Sequence, residues 1–233
     1  SFAFQYIGHF FNLVLPGMVG GDAIRIWKAH KSGMMLGDAF TSVALERVAT
    51  FVGVALMIAV SLPSLFERIE DGIMRASLVF VVAGVFAAVG LILVMDRLPN
   101  AVAHWRIVRA FSKLAEDTRR LFVRPVALAQ ILGLAVAAQL ALALATFLIV
   151  RDLEMTATLT DCLIFMPVVM LVTAMPISIG GWGVREMTMV TAFGYVGVHM
   201  EAALVASLLF GALTVASSLP GLAYWLTVKD NDG

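Results

Sequence analysis

The sequence predicts an all-α fold, a polytopic transmembrane helix bundle with broken or re-entrant helices. Three observations carry that expectation: a large excess of apolar residues, four long apolar runs, and two places where a run is interrupted by proline and paired glycines. Of 233 residues, 61% are hydrophobic and 14% charged, with a mean hydropathy of +0.96. A soluble domain carries about 45–50% apolar and about 25% charged residues, so the excess fits a bilayer and not one buried core. A formal net charge of zero argues against a nucleic-acid partner. The one cysteine, Cys162, excludes an intramolecular disulfide and an all-cysteine metal site. His9, His30, His104 and His199 are scattered without ligand spacing, so no metal or cofactor is expected. Strand-like alternation is absent, which argues against a β-barrel.

A membrane helix needs about 20 mostly apolar residues. Taken in order, the runs that meet this are 48–62, extended backwards to 41, then 77–95, 125–150 and 202–228. The last contains Pro220 and Gly221, so a kink or break is expected near its end. Between them lie shorter apolar pieces at 2–15, 162–175 and 187–198. Pieces of that length suit re-entrant or interfacial helices better than spans. The chain starts inside an apolar stretch, and the expectation is a single membrane domain over 1–233, truncated at its N-terminus.

Basic residues set the orientation. Residues 96–124 hold Arg97, Arg106, Arg109, Lys113, Arg119, Arg120 and Arg124, and 22–47 hold Arg25, Lys28, Lys31 and Arg47. Residues 63–76 and 151–161 are richer in acid. One topology satisfies all four, with 22–47 and 96–124 cytoplasmic and the other two outside. Within 96–124, Trp105, Val108, Phe111 and Leu114 recur at helical spacing opposite Arg106, Arg109 and Lys113. This is an amphipathic basic segment, suited to the inner leaflet or to enforcing topology as a solvated helix.

The two interruptions resemble each other. "LPGMVGGDAIR" and "MPISIGGWGVR" share Pro16/Pro176, Gly20/Gly180, Gly21/Gly181 and Arg25/Arg185, a P-x3-GG-x3-R pattern. Proline removes a backbone donor and paired glycines relax backbone limits, so a helix should stop or unwind there, with Pro16 and Pro176 as hinges. A helix restarting after Gly-Gly presents free N–H groups, a seat for an anion. Arg25 and Arg185 add fork-shaped donors for a phosphate. Asp22 and Glu186 can pair with them, gate them or bind a coupling cation. A charge at bilayer depth costs roughly 2.5–3.5 kcal/mol on insertion scales and marks function; the alternative is a surface loop whose arginine meets headgroups. Glu46 and Arg47, in "TSVALERVATF", sit at the mouth of a span, as gating or ion-pair residues or as interfacial ones. With three crossings between them, both motifs are expected to be approached from outside, as a parallel repeat, unless one is a re-entrant hairpin.

"FNLVLPGMVGGDAIR", "TSVALERVATF" and "MPISIGGWGVREMTMV" together resemble the signature regions of the lysylphosphatidylglycerol synthase transmembrane-region family, a flippase-like membrane domain. The resemblance implies a multi-pass protein of the bacterial inner membrane that moves or presents a lipid with an anionic or modified headgroup. On that reading the headgroup would be held by Arg25 and Arg185, with Gly20, Gly21, Gly180 and Gly181 beside it, as the motif physics above suggests. Only "KDNDG" follows the last apolar run, so lipid synthesis is not expected. The absence of a Walker motif leaves transport downhill, ion-coupled or driven by another subunit. Two other classes stay open. One is a membrane anchor for a cytosolic lipid-modifying enzyme or glycosyltransferase, docking on 96–124; the other, less favoured, is an intramembrane lipid-phosphate enzyme.

Overall fold

A computed structural model describes residues 2–14, 20–94, 125–174, 178 and 180–229. Among these are eight helices and no strand: α1 (Phe2–Val14), α2 (Gly20–Lys31), α3 (Leu36–Arg68), α4 (Gly72–Val94), α5 (Pro125–Asp152), α6 (Leu159–Thr173), α7 (Val184–Gly194) and α8 (Met200–Lys229). Four are long and apolar enough to cross a membrane, over Leu36–Arg68, Gly72–Ile92, Pro125–Asp152 and Met200–Leu226. The chain is thus a multi-pass helical membrane protein. The basic segment at 96–124 and both hinge prolines, Pro16 and Pro176, lie outside the described residues.

The chain forms two compact units, residues 40–140 and residues 1–39 with 141–233. In the first, α3 runs on to Arg68 with Pro63 inside it. The expected link at 63–76 therefore shrinks to three residues. A proline forfeits one hydrogen bond but holds a helical φ, and polarity alone does not stop a helix. The turn is closed by Arg75, whose Nε donates to the Ile69 carbonyl and whose guanidinium donates to the Phe66 carbonyl at 2.6 Å. Those are carbonyls that a helix end leaves without partners. Gly53 of α3 lies against Ala135, whose Cβ would be 2.8 Å from any side chain added there. Small residues let membrane helices approach this closely.

The second unit carries both motifs. α1 and α2 pack together, as do α1 and α8, α6 and α7, and α7 and α8. α5 ends in a tight turn in which the Met155 N–H donates to Val150 and the Glu154 N–H to Arg151. Glu154 there adopts φ 52°, a left-handed position usually given to glycine and costing other residues about 1 kcal/mol. α6 opens with a reciprocal cap in which the Asp161 carboxylate accepts from Thr158 N–H at 2.8 Å and Thr158 Oγ1 accepts from Asp161 N–H at 3.3 Å. α8 passes through Pro220 without a break.

Candidate functional site: the tips of two helical hairpins

α1 and α2 have 13 and 12 residues, about 20 and 18 Å of helix against a hydrocarbon core of about 30 Å. α2 cannot cross alone. The two run antiparallel: the Gly21 N–H donates to Asn12 Oδ1 at 3.0 Å, and the Arg25 stem lies on Gly8. Further along α2, the Lys28 ammonium sits 4.8 Å from the ring centre of Trp225, near the end of α8. The Trp225 ring also meets Phe11 edge-on at 5.0 Å. Aromatic and basic residues of this kind collect at membrane interfaces.

α6 and α7, of 15 and 11 residues, form a second short pair. Phe165 and Phe193, placed on either side of the intervening turn, bring their rings to 6.3 Å. This pair joins the beginning of α8, whereas α1 and α2 lie along its end, so the two hairpins come from opposite ends of that span. Their tips meet, with Gly180 pressed on the Leu13 carbonyl so closely that a Cβ would overlap it. Both motifs were expected to be approached from outside. The first is instead reached from the end of α8 that lies beside Lys28, because α2 returns along α1. The repeat is inverted, not parallel.

The motifs also differ locally. Gly180, Gly181 and Gly183 take φ values of 57°, 81° and 82°, so the second motif is an unwound turn before α7 begins at Val184. In the first, Gly20 and Gly21 already form the opening turn of α2, which corrects the expectation that the helix restarts after the pair. The reason is packing. A Cβ on Gly21 would run into the Gly8 carbonyl and lie 2.7 Å from Asn12 Cγ.

Arg185 is 4% exposed. Its guanidinium donates to Glu186 Oε1 at 2.6 Å, and its Nε is 3.3 Å from the Ser207 hydroxyl. That hydroxyl in turn donates to Glu186 Oε1 at 3.3 Å. The other Glu186 oxygen accepts the Gly183 N–H, closing the first turn of α7. Trp182 covers the guanidinium at 4.6 Å, and Gly211 leaves the room it fills, Arg185 Cζ lying 2.8 Å from where a Cβ would stand. Ser178, on the same turn, has its hydroxyl buried with no hydrogen-bond partner among the described residues. Gly211 is eleven residues beyond Met200 and fifteen before Leu226, about 16 and 22 Å along the helix. The charge is therefore set against the middle of the span.

Arg25 pairs with Asp22 at 3.7 Å, both side chains largely buried. It lies on Gly8, and nearby Tyr6 presses its carbonyl on Gly221 of α8. Gly221 is ten residues, about 15 Å, from Gly211. The two arginines are thus anchored at different levels of α8 and not at one point. Glu46, exposed, and Arg47, half-buried, lie on α3 in the other compact unit. Arg185 and Glu186, adjacent in sequence, form the pair that the sequence reading allowed. Ser207, Gly211 and Ser178 escaped the sequence reading. A serine inside the otherwise apolar "LVASLLFGAL" was the available signal for Ser207 and Gly211.

Short helical hairpins that meet tip to tip beside a buried charge resemble the broken helices that line mid-bilayer sites in other membrane proteins. The sequence model described as "Lysylphosphatidylglycerol synthase TM region" matches residues 1–221, and the chain belongs to that family. The family is a membrane region, which suggests a role connected with membrane lipids. No curated protein and no solved structure matches the chain.

Proposed function

We propose that this chain translocates a lipid with an anionic or modified headgroup across a bacterial inner membrane, the headgroup passing the meeting point of the two hairpins. One observation carries the reading: the Arg185 guanidinium is buried against the middle of α8 while bonded to the carboxylate of Glu186. A carboxylate bonded at once to an arginine and to the first N–H groups of a helix occupies the seat that a phosphate prefers. Glu186 acts as an internal stand-in, keeping the site neutral until a headgroup displaces it. Ser178 and Ser207 supply hydroxyls for the same phosphate. Arg25 and Asp22 form a second seat nearer the end with Lys28, where a headgroup enters or leaves while its tails stay in hydrocarbon. Gly20, Gly21, Gly180 and Gly181 keep the hairpins close enough for the seats to be protein-lined. Membership of a membrane-lipid family supports this class of substrate.

The test is reconstitution in liposomes with fluorescent phosphatidylglycerol, read by chemical quenching of the outer leaflet. Arg185→Ala is expected to slow translocation at least about tenfold, the loss of one charge-assisted bond or more, and Arg25→Ala to slow it less. Arg185→Lys keeps the charge, guards against misfolding, and should restore part of the rate. Unchanged rates in both alanine variants end the proposal.

A further inference from the structure

We propose a second lipid site, separate from the hairpin tips: a cleft of about 710 Å³ between α5 and α8 that takes a phospholipid bearing both a phosphate and a primary amine. Its wall is Ala145, Leu148, Ile149 and Leu213, and its mouth carries Arg151, Asp152 and Glu154. Leu148 and Leu213 are 54% and 55% exposed, so the wall faces outward into hydrocarbon. Ala145 lies six residues, about 9 Å, along α5 from Arg151. The cleft is therefore charged at the level of headgroups and apolar below, which matches an amphiphile in its normal orientation in the bilayer.

The charge pattern selects the occupant. All three charged residues are exposed, and among the described residues no ion pair joins Arg151 to either carboxylate. Arginine offers a fork for a phosphate, and two carboxylates accept from an ammonium. A purely anionic headgroup would meet two like charges, and a trimethylammonium group has no N–H to donate. The backbone of Glu154 is held at the mouth by the left-handed turn that ends α5, a position where glycine would otherwise suffice. By the acidic composition of 151–161 this mouth faces the outer leaflet, opposite Lys28 and Lys31. The proposal uses neither Arg185 nor Arg25, so it stands or falls apart from translocation.

The experiment is lipid retention by the purified full chain in nanodiscs of mixed composition, read by native mass spectrometry after gentle detergent release. Phosphatidylethanolamine should be retained about tenfold over phosphatidylglycerol and phosphatidylcholine, the ratio expected for one charge-assisted hydrogen bond. Asp152→Asn with Glu154→Gln should abolish that preference, and Arg151→Gln should weaken retention of all phosphate lipids. Leu148→Trp, which fills the cleft, should remove the bound lipid. Equal retention of the three lipids by the unmodified chain overturns the proposal. So does a Leu148→Trp chain that keeps its lipid, since the lipid would then sit elsewhere.

Discussion

Glu186→Gln keeps the shape of the side chain and an oxygen for the Gly183 N–H but removes the charge that faces Arg185. The arginine is 4% exposed, and the Glu186 carboxylate, bonded to it at 2.6 Å, is its ion-pair partner. Stripping one member from a buried pair costs about 3–5 kcal/mol, because the other charge is left uncompensated. Removing both charges at once escapes most of that penalty. Arg185→Met combined with Glu186→Gln is therefore expected to be more stable than Glu186→Gln alone, with a coupling of about 2–4 kcal/mol between the sites. Unfolding in mixed micelles, followed by tryptophan fluorescence, measures this directly, since Trp182 stacks 4.6 Å from the guanidinium. A thermodynamic cycle that closes additively, to within about 0.5 kcal/mol, would refute the claim that the pair is buried and mutually dependent.

Gly221→Ala and Gly21→Ala each push a Cβ into backbone of α1, and each should lower stability by about 1–3 kcal/mol; Gly84→Ala, with open space around it, should be neutral or slightly stabilising in the same thermal scan. Glu154→Gly relieves a left-handed residue and should raise stability by about 1 kcal/mol, whereas Glu154→Ala should not. In a chain lacking Cys162, cysteines at the exposed positions Ser32 and Thr156 should react with an impermeant thiol reagent from opposite faces of the membrane. Labelling of both from one face would contradict the assigned orientation.

Hydropathy alone located all four spans, because a run such as "LVFVVAGVFAAVGLILV" has no other stable place than lipid. Their ends were less legible. α3 reaches Arg68 because helical hydrogen bonding continues past the point where polarity begins. The short pieces were visible, but their direction was not, since it depends on Gly21 meeting Asn12 and on Lys28 reaching Trp225. The recurrence of P-x3-GG-x3-R is only half informative. Gly180 and Gly181 unwind the chain, while Gly21 serves a close helix contact, a difference that identical letters conceal. Arg185 could be named from its setting, but Ser207 and Gly211, 22 and 26 positions later, join it only through the fold.

Where Gly180 abuts Leu13, the two hairpins touch backbone to backbone with no side chain between them. A residue with a Cβ at position 180 would have to displace the Leu13 carbonyl, so any bulkier residue there would drive the two tips apart.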